Sequence, residues 1–430
     1  MITQLQLENW KSYENATLEI DPLTILIGTN ASGKSNALDA FLLLNRVAGG
    51  AMLSAALQGD GALTALRGGI EWAARRPESI FAISIICKAD EVTDYEYRLE
   101  CRIVENRCDV WSEQLQRIKY RQNKEGKRTA ATAGKIKIFR TDTCEKNSPT
   151  IVGRLYNEKQ GAPRILGRSH ALLFQLAGQK SRKEIEEGVN EVINSLKDIF
   201  LLDPIPSHMR NYSPLSDKLD SDAKNIAGVI AALQDDKQRE IELALTNYAS
   251  KLPERDIRRV YAEKVGKFAS DAMLYCEEIW ADRIEPLTVD ARGMSDGTLR
   301  FLAILTALLT RPKGSLLVVE EIDNGLHPSR ANMLLQMLRS IGGSRQVDVV
   351  ATTHNPALLD AMGVDMVRFI TVAHRDKTSG HSTLVLLENI KELPKLLAQG
   401  SLGRLSSRGL IERSLQKSFD FESDNKESSR

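Results

Sequence analysis

The run Gly28-Thr29-Asn30-Ala31-Ser32-Gly33-Lys34-Ser35 constrains this chain more than any other feature, because it fills every fixed position of the pattern G-x-x-x-x-G-K-[ST]. The glycines let backbone N–H groups curl around a phosphate, the lysine adds a point charge, and the last hydroxyl can reach a divalent cation. Such a loop works between a strand and a helix, and the flanks agree. Leu23-Thr24-Ile25-Leu26-Ile27 is an apolar run of strand length. Asn36-Ala37-Leu38-Asp39-Ala40-Phe41-Leu42-Leu43-Leu44 carries its apolar residues at helical spacing, so the loop opens a helix whose N-terminus faces the anion. A chance Gly/Ser-rich turn is the plain alternative, and it gives no reason for the flanking elements.

At 430 residues the chain is too long for one ordinary core, which predicts two domains or one domain with a large insertion. With 42% hydrophobic and 27% charged residues and no bilayer-length apolar stretch, it reads as a globular protein rather than a membrane protein. The opening Met1-Ile2-Thr3-Gln4-Leu5 lacks the basic and apolar regions of a secretory signal, so a cytoplasmic location is expected. Five cysteines show no CxxC pairing and read as small buried hydrophobes rather than zinc ligands or a disulfide framework. A net charge of +1 leaves any nucleic-acid surface to a local patch.

The organisation reads as two motif-bearing ends around a helical middle. Over residues 1–165, Ser84-Ile85-Ile86-Cys87-Lys88-Ala89 and Tyr95 to Val104 alternate as half-exposed antiparallel strands, predicting a β-layer beside the phosphate site. Over 166–285 the signal turns helical, as in Lys183 to Ile193 and Ile226 to Leu233. No heptad pattern is sustained, so a long coiled-coil arm is not expected. Residues 286–415 return to alternating strand and helix, and 416–430 is polar enough for a disordered tail.

The C-terminal portion supplies the complementary chemistry. Leu316-Leu317-Val318-Val319-Glu320-Glu321 is an apolar strand ending in two acids, the Walker B arrangement, in which Glu320 would hold Mg²⁺ through water and Glu321 would polarise an attacking water. A second strand, Val347 to Thr353, ends in His354 on the same edge; a lone histidine is commonly structural, but the position after a strand downstream of Walker B favours a role at the site. Met294-Ser295-Asp296-Gly297-Thr298 precedes a helical run, Leu299 to Leu309, and offers a hydroxyl and a glycine at a helix N-terminus. Taken alone it is also an ordinary N-cap.

These motifs, in this order, together with Asn9-Trp10-Lys11-Ser12-Tyr13, Glu320-Glu321-Ile322-Asp323-Asn324-Gly325-Leu326-His327-Pro328 and Thr352-Thr353-His354-Asn355-Pro356, resemble the RecF/SMC-like branch of ABC-type ATPases. More narrowly, they resemble the stand-alone AAA-family ATPases of bacterial antiphage-defence systems. The resemblance covers both chain ends and implies an α/β head, a mixed sheet with a P-loop core and an antiparallel β-layer, carrying a helical insertion. It implies ATP and Mg²⁺ as cofactors and a head-to-head homodimer sandwiching each nucleotide. It assigns Gly28, Asn30, Gly33, Lys34, Ser35 and Asn36 to the nucleotide phosphates and Ser35 with Glu320 to the metal. Ser295 and Gly297 go to the γ-phosphate across the dimer, Glu321 to the base, His354 to the switch residue, Asn324 to His327 to the D-loop, and Lys11 to the nucleotide's vicinity. Two departures stand out: Glu320 replaces the usual aspartate, and the signature reads Met-Ser-Asp-Gly-Thr rather than Leu-Ser-Gly-Gly-Gln. Gln114 and Gln116 are the candidates for a glutamine loop.

The stretch Arg117-Ile118-Lys119-Tyr120-Arg121-Gln122-Asn123-Lys124-Glu125-Gly126-Lys127-Arg128, followed by Lys135-Ile136-Lys137-Ile138-Phe139-Arg140, reads either as a solvated hairpin or as a grip on a nucleic-acid backbone. No nuclease motif accompanies the ATPase motifs. Two expectations follow: a dimerising ATPase that senses for or regulates a separate effector, a nuclease or toxin, in antiphage defence, or a DNA-binding ATPase of repair or recombination. A transporter subunit fits poorly, because a long insertion separates Ser35 from Ser295.

Overall fold

The computed structural model describes residues 1–416 except 124, 126, 146, 157–162, 253–255 and 280–284, and only the backbone of 130–132. The N-terminal strands are β1 (Ile2–Trp10), β2 (Tyr13–Glu19), β3 (Leu23–Ile27), β4 (Ile80–Lys88), β5 (Thr93–Val104), β6 (Arg107–Gln122), β7 (Arg128–Thr141), β8 (Thr150–Leu155) and β9 (Pro163–Gly167). The middle contributes β10 (Ile199–Leu202), β11 (Ser213–Pro214), β12 (Ile257–Val265) and β13 (Asp271–Glu278). From the C-terminal portion come β14 (Leu287–Asp290), β15 (Leu316–Val319), β16 (Asp348–Thr352), β17 (Ile370–Arg375) and β18 (Ser382–Leu386).

One mixed sheet runs β10-β15-β16-β3-β17-β18-β2-β1-β4-β5-β6-β7-β8-β9. Its first five strands are parallel, with Leu202 beside Val319, Val319 beside Ala351, Ala351 beside Ile25 and Ile25 beside Ile370. Strands buried on both faces favour unbroken apolar sequence, which is how β3, β15 and β16 read. The remaining strands are mostly antiparallel and alternate inward apolar with outward polar residues, as Leu5, Leu7 and Trp10 do in β1. The expected P-loop core and β-layer are therefore halves of a continuous sheet, joined where Ser382 of β18 pairs with Tyr13 of β2.

Helices cover both faces of the parallel part. Helix Lys34–Ala48 and helix Lys183–Lys197 pack in a core with β1, β4 and β5. Helix Asp296–Thr310, buried along nearly its whole length, packs with helices Asp235–Ala249 and Ala331–Arg345 in a second core.

The middle of the chain departs from its helical expectation. Residues 166–285 do contain helices Lys183–Lys197, Ile226–Ala232 and Asp235–Ala249, but they also supply β10, an edge strand of the parallel sheet, and β11 to β13 of a separate small antiparallel sheet with β14. Ile257, Val260 and Ala262 face a core from β12 while Arg258 and Arg259 stay exposed, so a bulged strand period hides inside a charged, helix-like composition. The tail expected over 416–430 lies outside the described residues except Gln416. That residue ends a helical stretch, 410–416, and donates to Asp376 Oδ2 at 3.2 Å.

Candidate nucleotide site

The parallel register brings the sequence motifs to one edge. Strands β15, β16 and β3 end together, which places Glu320 and Glu321, Thr353 and His354, and Gly28 along the C-terminal ends of neighbouring strands, where parallel sheets present ligand sites. The loop from Gly28 to Gly33 needs its glycines. Gly28 has φ +141° and a Cβ there would lie 2.1 Å from the Ala373 carbonyl oxygen; Gly33 has φ +112° and a Cβ would lie 2.7 Å from Ser382 Oγ and 2.8 Å from the Tyr13 hydroxyl. Ala31 takes φ +63° between them, and Thr29 and Asn30 are exposed at the tip.

Lys34 folds back along this loop and donates to the carbonyls of Gly28 (2.7 Å) and Thr29 (3.0 Å). Burial lowers its pKa, against the raising influence of Glu321, Glu320 and Glu412. Ser35 Oγ donates a short hydrogen bond to Glu320 Oε1, bridging the first turn of the helix to the end of β15. Hard oxygen donors on two elements fit Mg²⁺, which takes few protein ligands and keeps several waters. The pair Ser35 and Glu320 would hold the ion, which would shield phosphate charge.

Glu321 sits with φ +47°, a left-handed conformation uncommon outside glycine, and its N–H donates to Thr352 Oγ1 at 2.8 Å. That turn separates the two carboxylates. Glu320 faces Ser35, whereas Glu321 is exposed, with its Oε1 3.7 Å from His354 Nδ1 and its Oε2 accepting from Asn324 Nδ2 at 3.4 Å. Asp323 is buried and accepts from the Thr353 hydroxyl at 2.6 Å, which fastens the segment after β15 to the segment after β16.

Ser295 is the N-cap of helix Asp296–Thr310, its Oγ accepting from the Thr298 N–H at 3.1 Å while the residue stays exposed. Gly297 is the point of closest packing: a Cβ there would lie 2.7 Å from the Gly325 carbonyl oxygen. The signature turn thus rests on the Asn324 to His327 segment of the same chain, and Arg210 donates to Met294 O (2.9 Å) and Asp296 Oδ1 (2.7 Å) on its other side.

Two residues assigned to the nucleotide by resemblance take other partners. Lys11, with φ +51°, is buried, and its Nζ is 2.5 Å from Asp39 Oδ2 and 2.8 Å from the Arg67 carbonyl; burial lowers its pKa against the raising influence of Asp39. Asn36 turns its amide to Ser12 Oγ (2.8 Å), which also accepts from Ser382 Oγ (2.8 Å). Both therefore brace the loop from behind through the Trp10 to Tyr13 turn, where Trp10 Nε1 donates to Asn36 O and the Tyr13 hydroxyl donates to Gly33 O. Gln114 and Gln116 lie on β6, Gln116 bonded to Glu96, away from this edge.

The residue that sequence reasoning missed is Arg67, in the loop before β4. Its guanidinium forks onto both oxygens of Glu320, Nη1 to Oε1 at 3.0 Å and Nη2 in a shorter bond to Oε2. Burial pushes the Glu320 carboxyl up, but the bonds from Arg67 and Ser35 and the charges of Arg67 and Lys34 outweigh it, so its pKa is lowered. An arginine in an irregular loop carries no spacing signal. The basic stretch forms the hairpin of β6 and β7, with Lys124 and Gly126 outside the described residues; Arg128 there stacks on Tyr120 and pairs with Asp94.

Residues 148–360 match the family described as "AAA domain, putative AbiEii toxin, Type IV TA system", and residues 1–48 match "AAA ATPase domain". The crystal structure of an SMC head bound to the C-winged helix domain of ScpA aligns over 89% of this chain and 97% of its own, at 15% identity and a TM-score of 0.50. The fold is that of an SMC/RecF-like ABC ATPase head. An SMC head domain with an extended coiled coil, bound to a ScpA C-terminal domain derived from Pyrococcus furiosus, aligns over 93% of this chain and 98% of its own at 14% identity, with a TM-score of 0.48. The SMC head domain from Thermotoga maritima aligns over 90% and 98% at 12% identity, with a TM-score of 0.40. No curated protein matches the head in sequence. The Gly28–Ser35 loop, the Glu320–Glu321 pair and His354 all meet at one sheet edge.

Proposed function

We propose that the protein binds and hydrolyses ATP, closing head to head with a second copy around the nucleotide, and that closure regulates a separate effector, a nuclease or toxin, in antiphage defence. The observation that carries the ATPase reading is the hydrogen bond between Ser35 and Glu320, which joins the two motifs that must share a metal, with Glu321 held beside them by Thr352. In this reading ATP takes the Lys34 ammonium from the loop carbonyls. Glu321 accepts the proton of the water that attacks the γ-phosphorus, and His354 senses that phosphate. The family described for AbiEii-type toxins supports a defence setting. Exposure of Ser295, Asn324 and His354 supports an opposed-head arrangement, since each would have to reach a partner copy.

Complementation between variants tests the composite site. Ser295→Arg places bulk and charge at the packed interface while leaving the P-loop intact, and Lys34→Ala removes the phosphate charge. Each alone loses turnover. A mixed dimer holds one site with both lesions and one with neither, so steady-state hydrolysis recovers partly across mixing ratios if sites are shared and fire singly. Normal hydrolysis by Ser295→Arg as a monomer by light scattering overturns the reading and leaves Ser295 a helix cap.

A second reading, a DNA-binding ATPase, draws on exposed Lys135, Lys137 and Arg140 of β7, for which no acidic partner occurs among the described residues. ATP-dependent duplex binding that weakens steeply with salt would favour it, and co-purification of a toxin or nuclease would favour the first reading.

A further inference from the structure

We propose that Arg67 gates divalent-metal loading, by holding the Glu320 carboxylate that Mg²⁺ must take. The inference rests on Ser35 and Glu320 being the metal pair. Both Glu320 oxygens are engaged by the guanidinium fork, and Oε1 also accepts from Ser35. A guanidinium has five N–H donors and no lone pair, so it cannot become a metal ligand. Mg²⁺ demands near-octahedral oxygen geometry at short range, and the guanidinium both occupies the two Glu320 oxygens and repels a second cation brought beside them. Loading therefore loosens the fork from at least one oxygen and works against its charge.

The backbone of Arg67 is fixed while its side chain is free to leave. Lys11 Nζ donates to the Arg67 carbonyl at 2.8 Å and is itself pinned at 2.5 Å to Asp39, on the helix that begins at Lys34. Buried Leu66 returns its N–H to the Leu57 carbonyl at 2.8 Å, and Gly69 donates to Leu66 at 2.8 Å. Pin and metal hydroxyl thus belong to one helix, so the loop keeps station with the site. The Arg67 side chain, in contrast, is 55% exposed and that of Glu320 29% exposed. An ion pair this open is worth little, so the gate adjusts the metal requirement by a few-fold and does not bar it.

The test titrates Mg²⁺ against binding of a fluorescent ATP analogue to the full chain in a Glu321→Gln background, where turnover does not intervene. Arg67→Gln should lower the half-saturating Mg²⁺ about two- to fivefold and leave affinity for metal-free nucleotide unchanged. Arg67→Lys, which keeps the charge and loses the fork, should fall between. An unchanged or raised Mg²⁺ requirement in Arg67→Gln overturns the gate. The underlying site reading fails separately, if the parent binds no nucleotide or if Glu320→Gln leaves its Mg²⁺ requirement as it was.

Discussion

Single side chains decide how the edge of the sheet is used. Glu321 is held at φ +47° by one side-chain acceptor, Thr352 Oγ1, and a left-handed carboxylate residue persists only where its surroundings over-determine it. Thr352→Val keeps the shape and removes that acceptor, leaving the Glu321 N–H without it. Turnover should fall about tenfold or more while nucleotide binding stays within about twofold, because Lys34 and Ser35 are untouched. Equal loss in both measurements would mean that Thr352 supports the whole edge rather than the pose of Glu321. Glu321→Gln, by contrast, keeps the pose and removes the base, so binding persists and turnover falls about 10²–10⁴-fold.

At the scale of elements, the β-layer is tied to the middle of the chain by one buried acid. Glu113 of β6 is 1% exposed and accepts the N–H groups of Leu172 (2.6 Å) and Leu173 (2.8 Å) and the Tyr97 hydroxyl (3.0 Å). Burial pushes its pKa up to about 7, against those lowering bonds. A carboxyl whose native pKa lies above its unfolded value stabilises fully below the unfolded value, and that stabilisation is lost as pH rises through the native one. The native state binds the extra proton between about pH 4.5 and about pH 7, so the contribution from Glu113 declines across that window. Asp348, its pKa raised by burial to about 7, adds to the same slope. Glu113→Gln removes one titration, so the midpoint of denaturant unfolding, measured from pH 5 to 8, should fall less with pH than in the parent. An unaltered slope would assign the dependence to other carboxyls raised by burial, Asp348 first among them. The burial of neither acid was visible in the sequence: Glu113 looks like the outward charges of the alternating strand β6, and Asp348 looks like the polar start of the apolar run of β16. The elements themselves were legible where the apolar signal was unbroken, as in β3, β15 and helix Asp296–Thr310. They were illegible where a bulge broke the period, as in β12.

At the scale of the molecule, the chain threads its two ends into one sheet, and this decides what can fold alone. Strand β3 lies between β16 and β17, so the P-loop strand has C-terminal neighbours on both sides. Helix Lys34–Ala48 is fastened to the middle segment as well, with the Asn45 amide donating to the carbonyls of Leu196 (3.0 Å), Lys197 (3.1 Å) and Ile199 (3.0 Å). The loop and Glu320 were readable from sequence because each is a contiguous motif. Arg67, Thr352 and the Asn45 tie were not, because each acts through a residue far along the chain. A fragment of residues 1–165 would expose both edges of β3, a continuous apolar strand with unpaired backbone groups, which is a template for aggregation. It should be insoluble, or soluble without nucleotide binding, when expressed alone. Residues 286–415 should fail likewise, since β16 and β17 lose the strand between them. Co-expression with residues 166–285 supplied, so that β10 and the Asn45 acceptors are present, should restore binding of the fluorescent ATP analogue. A soluble 1–165 fragment that binds or hydrolyses ATP without the other pieces would show that the interleaved sheet is not what holds the P-loop in shape.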